Sequence, residues 1–214
     1  MAGLPLFPLT LVLFPGAMTP LHIFEPRYRR LLADAAEADH RFVILPPGPS
    51  GGIPEPDTIG TVARIRAIQP LPDGRSNVVV SGEERVILTE VLASDTPYLV
   101  GETQRLPDQL EIQTPSPTDQ VAMRHHGERY AAALATISDL AQEPDLSNDP
   151  AELSFQIAAL LEWDFETKRN FLAIRSARER VTQLVAALPE LVRDLEARAA
   201  THAKAGTNGH GIHL

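Results

Sequence analysis

Sixteen of the nineteen prolines in this chain lie in residues 1–117, and three lie beyond. Average usage near 5% would place about eleven prolines in a chain of this length. Nine of the thirteen glycines share the first stretch, and between residues 118 and 205 only Gly127 interrupts an alanine-rich sequence. Proline donates to neither helix nor sheet ladders, whereas alanine is the best helix former. The chain therefore divides into a turn-rich, strand-dominated part (1–117), a helical part (118–200) and a tail (201–214).

In the first part, Leu4–Phe14 reads as an apolar strand whose Pro5 and Pro8 confine it to an edge or a bulge, and Phe14-Pro15-Gly16 ends it with turn chemistry. Pro26 suits a first helical position, and Tyr28, Leu31, Leu32 and Ala35 recur at helical spacing. Further strands are expected at 41–45, 61–68, 77–80, 85–91 and 98–104. Pro72-Asp73-Gly74 turns a hairpin, and a Pro/Gly-dense loop covers 46–57. Roughly six strands joined by tight turns point to a compact barrel or sandwich.

Helix starts in the second part are marked by Ser116-Pro117, by Asp149-Pro150 with Glu152, and by Ser176 with Glu179. Pro189 is read as the start of a final helix. The apolar stripes of these helices are incomplete faces that need partners, so a small bundle is expected.

The net charge of −9 and pI near 5.2 argue against nucleic-acid binding, which draws its affinity from basic charge. The absence of cysteine excludes disulfides, thiolate metal sites and thiol nucleophiles. The apolar N-terminus lacks a cationic n-region, and its prolines break any signal-peptide helix, so a cytoplasmic protein without membrane segments is expected.

The ordered series Leu4-Pro5-Leu6-Phe7-Pro8-Leu9, Phe14-Pro15-Gly16, Phe24-Glu25-Pro26-Arg27-Tyr28, Ile59–Ile65, Leu71–Gly74 and Gly82 with Arg85 resembles the N-terminal domain of Lon proteases, also found as stand-alone proteins. Ser154–Leu161 and Lys168–Leu172 continue the likeness to about residue 190. The resemblance implies an α+β fold, in which a PUA-like, mainly antiparallel β-barrel precedes a C-terminal α-helical bundle. It implies engagement of unfolded or apolar protein segments, and leaves open recruitment of a separate protease or ATPase. The only lysines, Lys168 and Lys204, follow Thr167 and Ala203, so no Walker A loop exists, and the expected role is non-catalytic, without cofactor or metal.

Candidate chemistry is sparse. Gly48-Pro49-Ser50-Gly51-Gly52 matches a nucleophile-elbow pattern but sits in a Pro/Gly loop. His125 and His126 are adjacent on a helix and cannot chelate one ion together, and His202, His210 and His213 lie in the tail. Phe7, Phe14, Leu21 and Phe24 either line a peptide groove or fill the core; Trp163 and Phe165 either anchor a partner or are buried. Arg27, Arg30, Arg169 and Arg178 are the candidate interface cations, with internal ion pairs as the competing role. Beside the protein-binding reading stand two others: an RNA- or nucleotide-binding PUA-like protein, and a small hydrolase using Ser50.

Overall fold

The computed structural model describes residues 3–110, 114–138 and 145–207. Six strands, β1 (Leu4–Pro8), β2 (Met18–Ile23), β3 (Arg41–Leu45), β4 (Ile59–Pro70), β5 (Ser76–Leu92) and β6 (Leu99–Arg105), form one mixed sheet in the order β2-β5-β4-β3-β1-β6. A further β5–β6 ladder returns the pairing on itself, so β5, β4, β3, β1 and β6 are joined in a ring and β2 stands outside it. The β1–β3 pair is parallel and every other ladder is antiparallel. Five helices complete the α+β fold of the described residues: α1 (Pro26–Glu37), α2 (Pro117–Ser138), α3 (Pro150–Leu160), α4 (Phe165–Ala173) and α5 (Ala177–Thr207).

Strand alternation divides the apolar residues between two clusters. Leu6, Val43, Leu45, Val62, Val86 and Leu88 form one, while their neighbours Phe7, Ile44 and Ala63 join Leu21, Ile23, Phe42, Val78 and Val80 in the other. Helix α1 closes the second cluster with Tyr28, Leu31, Leu32 and Ala35, the four residues its spacing predicts.

Three elements differ from the sequence reading. The strand expected over 4–14 ends at Pro8, and a second strand, β2, follows at 18–23. The segment between them is pinned by the buried Thr61 hydroxyl, which donates to the Leu13 carbonyl at 2.6 Å, and by Gly16 and Gly82, whose amides donate to Gly82 and Ala17 carbonyls. The strands expected at 77–80 and 85–91 are one strand, because Gly82 stays in the ladder opposite Ala63; β5 absorbs one extra residue between Gly82 and Arg85, opposite the Thr61–Ala63 step, and β4 carries the other irregularity between Ile65 and Ala67. Pro189 does not begin a helix but lies inside α5. Proline removes one backbone bond there, yet Val181, Leu184 and Leu188 before it and Val192, Leu195 and Ala199 after it continue one buried stripe.

The chain separates into two compact units, residues 1–109 with 161–175, and residues 110–160 with 176–214. Helix α4 thus groups with the strands, not with the helical part in which it was expected. The tie is Arg85 of β5, 3% exposed at its side chain, which donates to the carbonyls of Leu172 and Ile174, each at 2.7 Å, and pairs with Asp108. Gln109 donates its amide to the Arg175 carbonyl beside it. In the other unit α2, α3 and α5 pack together around Met123, Tyr130, Leu153, Ile157, Leu184 and Leu188. Arg180 is buried there, donating to the Ser154 hydroxyl at 2.9 Å with its guanidinium 4.0 Å over the Phe155 ring. Helix α5 continues through Thr207, past the point where a tail was expected; residues 208–214, including His210 and His213, lie outside the described residues.

Candidate functional site

Strand β2 sends alternate residues to opposite faces. Leu21 and Ile23 enter the core, while Met18, Pro20 and His22 point outward, followed by Phe24. Met18 is 71% exposed and Phe24 59%, among the largest exposures of bulky apolar side chains in the described residues. The face continues over β5, where Ser81, Val79 and Asn77 lie opposite Met18, Pro20 and His22, and onto β4 with Ala67. His22 hydrogen-bonds Asn77 at 2.8 Å and stacks on Phe24 with ring centroids 6.2 Å apart. As the strand outside the ring, β2 pairs on one side alone, and Pro20 lacks the N–H that would extend the ladder. What the face offers a partner is apolar area flanked by amide and imidazole groups, rather than an edge for strand addition.

Of the aromatic candidates, only Phe24 belongs to this face. Phe7 and Phe14 are 5% and 0% exposed and Leu21 is buried, which removes all three as groove-lining residues and makes them core. Phe7 packs on Tyr28 and Phe42, and Phe14 meets Phe171 edge-on at 6.1 Å. Trp163, half-buried, packs on Phe171 at 5.3 Å, and half-buried Phe165 opens α4 one residue after its Asp164 cap. Asp164 accepts the Thr167 amide at 2.8 Å, which holds its carboxyl below the usual range.

The candidate cations are mostly in local ion pairs. Arg27 pairs with Glu25 at 2.9 Å and lies over the Tyr28 ring. Arg30 pairs with Asp34 one helical turn on, and Arg169 with Glu166 at 2.8 Å. Arg178 is exposed near the start of α5. Arg30 and the Tyr98 hydroxyl both donate to Asp34, holding its carboxyl below the ordinary range. Burial and Asp34 together push Tyr98 up to about 12. A hollow of about 240 Å³ is lined by Pro46, Pro56–Ile59 and the Arg169, Asn170 and Ala173 side of α4.

Conventional catalytic geometry is not assembled among the described residues. Ser50 is exposed on a single 3-10 turn with φ 55°, and no described hydrogen bond joins it to a histidine or carboxylate. His125 and His126 sit side by side with ring centroids 5.4 Å apart, and no group of three potential metal ligands occurs among the described residues. No described helix is long and apolar enough to cross a membrane.

Sequence reasoning missed Met18, Val79 and the β4 residue Arg66, which donates to the Ser81 hydroxyl at 2.7 Å. The alternation over 18–24 was the available signal, masked by Pro15, Gly16 and Pro20, which read as turn residues.

The chain is 29% identical over 193 residues to a Lon protease of Amoebophilus asiaticus, covering 86% of this chain and 23% of that protein. It is 28% identical to Lon protease 2 of Herpetosiphon aurantiacus, covering 90% of this chain and 24% of that protein. The chain thus spans about a quarter of the length of these curated relatives. Among solved structures, the Lon N-terminal domain protein from Xanthomonas campestris superimposes with a TM-score of 0.62 at 25% identity, covering 88% of this chain and all of that one. The N-terminal domain of the Mycobacterium avium complex Lon protease shares the fold with the same TM-score at 17% identity, covering 86% of this chain and 96% of that one. The family model for the substrate-binding domain of ATP-dependent protease La (Lon) matches residues 3–189, and the chain belongs to that family.

Proposed function

We propose that this protein is a non-catalytic recognition module that takes extended apolar segments of other proteins on the outward face of β2 and β5. The observation carrying this reading is the exposure of Met18 at the start of β2 and of Phe24 just past its end, while the intervening Leu21 and Ile23 are buried. A contiguous apolar patch rimmed by polar groups marks an interaction surface. The substrate-binding description of the matched family supports the same role. The strand ring is read as a PUA-like barrel and α2, α3 and α5 as the bundle that accompanies it. Cytoplasmic placement and cooperation with a separate protease or ATPase belong to the same reading. Neutralisation of Arg27, Arg30 and Arg169 by carboxylates weighs against a nucleic-acid surface.

Fluorescence anisotropy with labelled twelve-residue peptides rich in Leu and Phe tests the proposal. Met18→Ser with Phe24→Ser is expected to weaken binding about tenfold or more, as loss of two central apolar anchors does, while leaving the thermal midpoint nearly unchanged. Undiminished binding by this well-folded double variant refutes the assignment of the face.

A further inference from the structure

The β4 irregularity between Ile65 and Ala67 has a chemical result. In the register Ile65 faces Val80 and Ala67 faces Val79, so Arg66 is the extra residue. A bulge re-aims the side chain it carries. Here it delivers the guanidinium to the hydroxyl of Ser81, to which Arg66 Nε donates at 2.7 Å. Ser81 lies directly opposite Met18 in the β2–β5 ladder, so the cation stands over the row that carries the most exposed residue of the apolar face.

The surrounding carboxylates are already engaged. Glu83 pairs with Arg64, Asp73 with Arg75, Glu25 with Arg27 and Asp39 with Arg41. Arg66 is exposed, and among the described residues it has no carboxylate partner. A guanidinium carries five donors in a fork that matches a carboxylate, and the Ser81 bond uses one of them. The chain as a whole is strongly acidic, but screening over about 8 Å at physiological ionic strength leaves the local field of Arg66 to act on anything lying on the face.

We infer that Arg66 is a specificity-determining residue: it selects, among extended apolar segments, those that bear a carboxylate. The inference rests on the proposed binding face. A segment seated on Met18, Val79 and Phe24 places one Asp or Glu within the fork of Arg66 and partly desolvates the pair, which strengthens it over an open surface contact.

The test uses three labelled twelve-residue peptides, identical in their Leu and Phe positions and differing at one site as Glu, Gln or Lys, titrated by anisotropy at two salt concentrations. Wild type is expected to bind the Glu peptide about three- to tenfold more tightly than the Gln peptide, with the preference shrinking at high salt. Arg66→Gln erases the preference, Arg66→Lys keeps part of it, and Arg66→Glu reverses it toward the Lys peptide. Equal binding of Glu and Gln peptides by wild type, or a preference that survives Arg66→Gln, overturns the role of Arg66 and leaves the face intact. Binding of all three peptides that is unaffected by loss of Met18 and Phe24 overturns the face, and the role of Arg66 with it.

Discussion

Arg85 donates to the carbonyl oxygen of Leu172 at 2.7 Å, joining a strand of the first hundred residues to the last turn of a helix that follows eighty-seven positions later. The same guanidinium reaches Ile174 and Asp108, so one buried cation serves both the carbonyls at the end of α4 and a carboxylate. Its replacement removes a charged donor from those acceptors. Arg85→Ala is expected to destabilise the chain by about 3–5 kcal/mol, the range for removing one partner of a buried ion pair. Arg85→Lys, which keeps the charge but not the fork, should recover part of it. Urea denaturation followed by Trp163 fluorescence and by circular dichroism measures both, and a loss below about 1 kcal/mol for Arg85→Ala contradicts the assigned role.

Gly82 and Gly127 give a contrast between rigid and yielding neighbours. A Cβ at residue 82 falls well inside contact distance of the Phe14 backbone carbonyl, which cannot move without disrupting the Leu13–Ala17 segment. A Cβ at residue 127 meets the Cδ1 tip of Ile157 at 2.5 Å, an end that can change rotamer, and there alanine gains about 1 kcal/mol of helix propensity. Gly82→Ala is therefore expected to cost more than about 2 kcal/mol and Gly127→Ala considerably less. Comparable thermal shifts in the two variants would contradict this ranking.

His126 carries a buried Nδ1 without a hydrogen-bond partner. Burial, then His125 and Arg129, push its proton affinity down, against a smaller opposing pull from Glu196. Because the folded value lies below the unfolded one of about 6.5, the unfolded chain binds the extra proton first. The stabilisation is complete above that value and is lost as pH falls through the folded one. Proton NMR of the imidazole should show titration below 6.5, and His126→Gln should flatten the stability profile between pH 7.5 and 5. An unaltered profile in the variant excludes this source of acid sensitivity.

Tyr98 works at the other end of the scale. Its hydroxyl donates to Asp34 at 2.8 Å, and its pKa is pushed up to about 12 by burial and by that carboxylate. A raised folded value stabilises fully below the unfolded value near 10 and fades as pH climbs toward 12. Tyr98→Phe should lower stability at pH 8 by about 1 kcal/mol and lose less than wild type between pH 9 and 11. Denaturant titrations across that interval decide it.

What could be read in advance was whatever depends on residues a turn apart. The hydroxyl of Ser116 caps Asp119, Asp149 caps Ala151 and Glu152, and Ser176 caps Glu179, each as its spacing predicts. The α1 stripe and the Asp73-Gly74 turn, with Gly74 at φ 80°, are equally local. Strand β2 was hidden because Pro20 looks like a breaker unless its N–H side is known to lie on an outer strand. Helix α4 is nine residues long and owes its place to Arg85, a contact no local pattern announces. The site was hardest. Phe7 and Phe24 are the same residue type in similar apolar surroundings of sequence, and only the pairing partners of β1 and β2 decide that one ring is enclosed and the other meets solvent.

The return of α4 to the strands also sets an order of events for a chain made from its N-terminus. All six strands have been synthesised by Arg105 and the Asp108 carboxylate follows at once, but the two carbonyl acceptors of Arg85 are not complete until Ile174. At roughly 5–20 residues per second, the ribosome leaves the sheet one helix short for several seconds, with a cation facing an unfinished interior. During that interval the nascent chain is itself an incompletely covered apolar surface, and a fragment cut near residue 117 would stay in that condition permanently.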